Sequence, residues 1–165
     1  MKNIIILNGA GRKNGNTASL INAFKDGAKG NEIKEFYLHG MNIKGCKGCL
    51  ACKEKAETCV QRDDMDEIYE AFKVADIVVF ASPSYFAHIS GQLKTASDRL
   101  YAMFNTLPES KYKKESVLLM TAGAPYFDGA VFWYNVFSHM GWVSLGEVLG
   151  TGKEAEAKAL GESIG

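Results

Sequence analysis

The chain has no surplus charge of either sign: 19 lysines and arginines face 19 aspartates and glutamates, so the net charge at pH 7 is zero. That balance excludes the broad electrostatic grip with which basic proteins hold nucleic acid or an anionic membrane. Long apolar runs are missing too. The N-terminal MKNIIILNGAGRKNG carries only the short run Ile4–Leu7, far below a signal-peptide core or a membrane span. No repeat, low-complexity tract or interdomain linker interrupts the sequence. Neither nucleic acid nor membrane is expected as a partner, and the expected setting is the cytoplasm. What the chain does have is apolar mass, 47% of 165 residues. That suffices for one core, so residues 1–165 are expected to form one domain.

Short runs rich in β-branched residues alternate with segments of helical length. Strands are predicted at Asn3–Leu7, Ile33–Leu38, Ile77–Phe80, Ser116–Met120 and Trp142–Leu149. Helices are predicted at Asn16–Gly27, Asp64–Val74, Gly91–Phe104, Gly129–Met140 and Lys153–Leu160. Continuous apolar strands separated by helices imply a parallel sheet covered on both faces. Ligands of such sheets bind beyond the carboxyl ends of the strands, where strand order reverses. The loops after the strands are therefore where chemistry is expected.

After the first strand comes NGAGRKNGNTASL, residues 8–20. Its glycines follow G-x-G-x-x-x-G rather than the dinucleotide fingerprint G-x-G-x-x-G, and no G-K-S/T ending marks a nucleotide-triphosphate loop. The loop offers Arg12, Asn14, Asn16, Thr17 and Ser19 beside the N-terminus of a helix, where backbone N–H groups await acceptors. Glycine and asparagine alone would fit an ordinary strand-to-helix turn. Arg12 and Thr17 shift the reading to a terminal phosphate monoester. After the third strand, ASPSYFAHISGQLKTASDR places Tyr85 and Phe86 where they can flank a flat aromatic ligand, although core packing is the commoner fate of such residues. After the fourth, TAGAPYFDG is a small-residue loop that a ligand can approach closely.

All four cysteines lie in GCKGCLACKEKAETC, as Cys46, Cys49, Cys52 and Cys59, spaced C-x2-C-x2-C-x6-C. In a reducing compartment such a cluster reads as ligands or redox groups rather than as disulfides.

Together, NGAGRKNGNTASL, the cysteine stretch followed by QRDDM, and SPSYFAHISGQLKTASDR resemble the flavodoxin-like NADPH-dependent FMN reductases, in the branch that holds the iron-sulfur flavoproteins. The resemblance covers nearly the whole chain. It implies a three-layer α/β sandwich with a five-stranded parallel sheet in the order 2-1-3-4-5. It assigns the FMN phosphate to Arg12, Asn14, Asn16 and Thr17, with Ala10 where serine is common; Ala10 loses a hydroxyl and keeps its backbone N–H. It lays Pro83, Ser84, Tyr85 and Phe86 along the isoalloxazine, closes the other side with Thr121, Ala122 and Gly123, and implies a homodimer or homotetramer.

With FMN the chemistry belongs to the cofactor: NAD(P)H donates, and a quinone, flavin or other small acceptor receives. No catalytic side chain is assigned. His39, His88 and His139 read as surface or structural residues, and backbone N–H groups of Pro83–Phe86 are the expected donors to the flavin edge. For the cysteines two readings stand side by side. C-x2-C-x2-C with a returning fourth thiol suits a [4Fe-4S] cluster on Cys46, Cys49, Cys52 and Cys59, which would exchange single electrons with ferredoxin. Alternatively, the thiols pack or line an interface without metal, as in plain flavin reductases of similar sequence. Zinc fits the spacing less well.

Overall fold

The computed structural model describes residues 1–54 and 58–164; residues 55–57 of the cysteine stretch and the side chains of 105, 106, 109 and 110 lie outside that description. Its elements run β1 (Asn3–Asn8), α1 (Asn16–Gly27), β2 (Glu32–Tyr37), a 3-10 turn (Leu38–Gly40), α2 (Ala51–Glu54), α3 (Met65–Val74), β3 (Ile77–Pro83), α4 (Gly91–Arg99), α5 (Tyr101–Thr106), α6 (Glu109–Tyr112), β4 (Glu115–Thr121), α7 (Asp128–His139), β5 (Val143–Leu149) and α8 (Glu154–Glu162).

All five strands are parallel, in the order β2-β1-β3-β4-β5. The three inner strands β1, β3 and β4 are buried nearly throughout, whereas the edge strands β2 and β5 are partly exposed. Strand side chains alternate between faces, and the sequence of β1 sorts accordingly. Ile4 and Ile6 pack with Leu20, Ile21 and Phe24 of α1 and Ala157 of α8. Ile5 and Leu7 join Met65, Ile68, Tyr69 and Phe72 of α3, Leu93 of α4 and Tyr134 of α7. On this second face Phe80 lies 4.8 Å from Phe137 and 5.1 Å from Trp133, ring centre to ring centre. The apolar stripe of α3 at positions 65, 68, 69 and 72 is the spacing one helix face requires.

Predicted and observed elements agree within a few residues, with three differences. The single helix expected over Gly91–Phe104 is two, because the chain tightens at Leu100, whose N–H is shared by the carbonyls of Ala96 and Ser97. Strand β3 runs past its predicted end at Phe80 to Pro83, which pairs with Thr121. The short helices α2 and α6 carry no periodic pattern long enough to be read. No helix among the described residues is long and apolar enough to cross a membrane.

On the first face α1 and α8 meet through glycine. A Cβ on Gly27 would fall inside contact distance of the Lys158 carbonyl, and one on Gly161 would do the same at the Phe24 carbonyl. Two backbones therefore touch where no side chain fits. Gly161→Ala is expected to cost about 1–3 kcal/mol by overpacking, read as a lower urea midpoint at unchanged slope. An unchanged midpoint would mean that the two helices can part without loss.

Candidate functional site

Strand order reverses at β1, since the chain steps from β1 to β2 on one side and to β3 on the other. The loops after β1 and β3 consequently diverge, and a cavity of about 160 Å³ opens at the carboxyl end of the sheet. Ala10, Arg12, Asn16 and Thr17 line one wall, Pro83, Ser84 and Tyr85 another, and Thr121, Ala122 and Gly123 a third. No acidic residue lines it.

Its donors lack acceptors. Gly15 is the N-cap of α1 and no side chain caps that helix, so the first-turn N–H groups have no intrahelical partner. Arg12 lies over Gly15, where a Cβ would sit 3.6 Å from its Nε, and no carboxylate pairs with it among the described residues. The buried hydroxyls of Thr17 and Thr121 are 2.7 Å apart. One donates to the other, which leaves a single hydroxyl proton between them for a ligand. Unpaired amides at a positive helix end, one free guanidinium and one spare hydroxyl form a site for an anion. These residues fit the phosphate of FMN. The cavity is too small for a whole flavin, so a ring system attached to that phosphate would lie beyond it, toward exposed Tyr85 and Tyr126.

Several expectations change at the level of single groups. Asn14 faces away, into a depression shared with Asn8, Lys13, Glu35 and Tyr37. The Ala10 N–H, expected to stay available, donates to Asn8 Oδ1 at 2.9 Å. In the turn after β3 the Ser84 N–H donates to the Thr121 carbonyl at 2.6 Å and the Tyr85 N–H to the His88 carbonyl at 2.9 Å. Pro83 has no N–H, so within Pro83–Phe86 only the Phe86 amide is free of such a bond among the described residues. Phe86 itself does not line the cavity; it is fully exposed on a turn in which Phe86 and Ala87 both take positive φ, 50° and 59°. Consecutive non-glycine residues rarely adopt that backbone. Thr151, after β5, was not anticipated: it lines the cavity and donates to the Ala122 carbonyl at 3.0 Å. The rule that ligands gather at strand carboxyl ends applies to the fifth strand as well and was the available signal.

The cysteine loop follows β2 at the same end of the sheet, and a buried ion pair closes it. Arg99, at the end of α4, and Asp63 have side chains 0% and 1% exposed. Arg99 holds Asp63 through two bonds, Nη1 to Oδ2 at 2.7 Å and Nη2 to Oδ1 at 3.1 Å. The same guanidinium donates to the carbonyls of Lys44 and Gln61, one on each side of the cysteines, at 2.7 and 3.2 Å. Asp63 also accepts from the Lys44 and Met65 amides, and Gln61 Nε2 donates to the Gly45 carbonyl at 3.0 Å. Burial alone would raise the Asp63 carboxyl; the bonds from Arg99, Lys44 and Met65 outweigh it and hold the group below its usual range. Tyr69 donates to the Arg99 carbonyl at 3.0 Å.

Within this frame Gly48 and Leu50 take positive φ and turn the chain back. Cys46 and Cys49 are exposed, while Cys52 and Cys59 rest against the core. Burial pushes the Cys52 thiol up, and Cys59, Cys46 and Cys49 push it the same way, so the four thiols share one neighbourhood. They do not form a ligand cage. Among the described residues no three of the His, Cys, Asp and Glu side chains are arranged to hold a metal ion. The [4Fe-4S] arrangement expected on Cys46, Cys49, Cys52 and Cys59 is not seen among the described residues, where Cys46 Sγ accepts from the Gly48 amide at 3.4 Å.

A parallel sheet in this order, with a phosphate-fitting loop at its switch point, defines a flavodoxin-like nucleotide-cofactor protein. The sequence profile of the NADPH-dependent FMN reductases matches residues 2–155. The chain belongs to that family of FMN-dependent oxidoreductases with NAD(P)H as donor. It is 35% identical over 156 residues to an iron-sulfur flavoprotein of Archaeoglobus fulgidus, covering 92% of this chain and 69% of that protein. With an iron-sulfur flavoprotein of Methanosarcina thermophila it shares 37% over 95 residues, 56% of this chain and 49% of the other. These names support the iron-sulfur flavoprotein branch, although the chain spans only part of each relative's length. An NAD(P)H:quinone oxidoreductase from Methanothermobacter marburgensis superposes with a TM-score of 0.76 over 99% of both chains at 15% identity, a likeness of fold.

Asp63→Asn leaves the buried Arg99 without its counter-charge and is expected to destabilise the fold by about 3–5 kcal/mol. Because the folded carboxyl titrates low, its contribution is complete above the unfolded value of about pH 4 and disappears as pH falls through the folded one. The stability gap between variant and parent should be constant near neutrality and shrink in acid. A gap that widened in acid would contradict the assignment.

Proposed function

We propose that the chain is an FMN-dependent oxidoreductase that passes electrons from NAD(P)H to a quinone, flavin or other small acceptor in the cytoplasm. The observation that carries this reading is the carboxylate-free cavity at the start of α1, with Arg12, the uncapped helix amides and the Thr17–Thr121 hydroxyl pair as its donors. Bound FMN supplies hydride acceptance from a nicotinamide and onward transfer of one or two electrons. The residues of the chain bind and orient. Arg12 and the α1 amides balance the phosphate charge, the spare hydroxyl fixes one phosphate oxygen, and Tyr85 gives an exposed aromatic surface beside the cavity. The free Phe86 amide is the candidate donor to an electron-rich ring edge.

A homodimer or homotetramer is part of this reading. Phe86 projects from a turn whose Ala87 carbonyl accepts from the Ala130 amide of α7, and Phe132 and Val136, one helical turn apart on α7, are exposed as well. Apolar surface beside a cofactor site suits a second copy of the chain.

A second reading makes the chain an iron-sulfur flavoprotein that exchanges single electrons with ferredoxin. What favours it is the name borne by the relatives together with four thiols in one neighbourhood. An anaerobic visible spectrum with an iron assay separates the two. Flavin bands without iron support the first, and about four irons per chain with a broad shoulder near ~400 nm support the second.

Arg12→Ala should weaken FMN binding by about 1.5–3 kcal/mol, the worth of a charged hydrogen bond, in a fluorescence-quenching titration. Unchanged affinity would show the loop to be misassigned, and a chain that takes up no added FMN would remove both readings.

A further inference from the structure

The amino end of the sheet, opposite the flavin cavity, holds a larger cavity of about 780 Å³. That volume falls in the range of small-molecule sites, roughly 300–1,000 Å³. Its walls come from the residues that enter β1, β3, β4 and β5 and from the turn between α7 and β5. Lys2, Lys73, Lys111, Lys113 and Lys114 line it, against two carboxylates, Asp76 and Glu115.

Both carboxylates are engaged by the protein. Glu115 pairs with Lys2 at 2.5 Å, and Asp76 Oδ2 accepts from the Asn3 amide at 2.8 Å. Lys73 pairs with Glu70, which does not line the cavity. Lys114 is set into the wall, 8% exposed, with its ammonium donating to the Ala75 carbonyl at 2.5 Å and lying 5.0 Å from the centre of the Phe72 ring. An ammonium carries three donors, and a buried one with donors to spare is costly. Burial depresses its pKa, the Asp76 charge opposes that, and Lys111 depresses it further. Lys111 and Lys114 line the same cavity, where an anion would ease the repulsion of their like charges.

We propose that this cavity is a second binding site, for a phosphate-bearing small molecule of nucleotide size, with Lys114 and Lys111 as its main phosphate contacts. Lysine suits phosphate oxygens as a point charge and imposes no planar geometry. The apolar side chains of Val74 and Val143 on the same wall give the uncharged part of such a molecule a surface to lie on. The site stands apart from the FMN reading, since it shares no lining residue with the flavin cavity.

The test titrates pyrophosphate into the chain by calorimetry and by amide NMR, with FMN in excess to occupy the Arg12 loop. One saturable event is expected, with shifts at Asp76, Glu115, Gly141 and Val143. Lys111→Glu, at an exposed position, should weaken binding at least tenfold while the amide spectrum elsewhere and FMN affinity stay unchanged. Lys114→Met should abolish it; if that variant fails to fold, Lys111→Glu alone decides. Linear, unsaturable heats, shifts confined to residues 10–17, or unchanged affinity in Lys111→Glu would each overturn the proposal.

Discussion

One buried guanidinium organises the end of the molecule where chemistry is expected. Arg99 grips both oxygens of Asp63 and, with the same two nitrogens, the carbonyls of Lys44 and Gln61. The pair has almost no contact with water, and its desolvation cost is offset because both carboxylate oxygens and both terminal guanidinium nitrogens are bonded; only the buried Arg99 Nε lacks a partner among the described residues. Residues 44 and 61, on either side of the four cysteines, are drawn to one point. Tyr69 ties α3 to the same place through the Arg99 carbonyl. A long polar loop beside an apolar core is thereby held by one helix end.

The flavin cavity is organised on the opposite principle. The first-turn amides of α1, the Arg12 guanidinium and one hydroxyl proton of the Thr17–Thr121 pair have no acceptor, and no carboxylate lines the cavity, among the described residues. The ends of the thiol loop are tied by the bonds of Arg99 and Asp63, whereas these donors of the phosphate loop are left open. The first arrangement holds a conformation, and the second offers charge of the right sign for an anion.

How far the sequence reveals this depends on the range of the interaction. Strands and helices could be read because β1, β3 and β4 are continuous buried apolar runs and α1, α3, α7 and α8 bury residues about four apart, both local signals. Arg12, Asn16 and Thr17, expected at a phosphate, and Thr121, expected beside the ring, all line one cavity because the loops after parallel strands leave the sheet at the same end. The Asp63–Arg99 pair was not found, because its members are 36 residues apart and the stretches that hold them, QRDDM and SPSYFAHISGQLKTASDR, do not show that they meet. Whether the Ala10 or Ser84 N–H is spent depends on the side-chain rotamer of Asn8 and on the Thr121 carbonyl of a neighbouring strand, neither of which residue letters fix. Phe86 was read as a ring on the cofactor, and two successive left-handed residues turn it to solvent.

The glycine contact between α1 and α8 has a consequence in time. The helix that opens with the phosphate loop is translated before the helix it must press against, with four strands between the two. Until α8 arrives, Leu20, Ile21 and Phe24 have only the sheet to cover them, and the sheet itself still waits for β5. The loop at the start of α1 thus rests on a helix whose packing is completed by a contact made far along the chain.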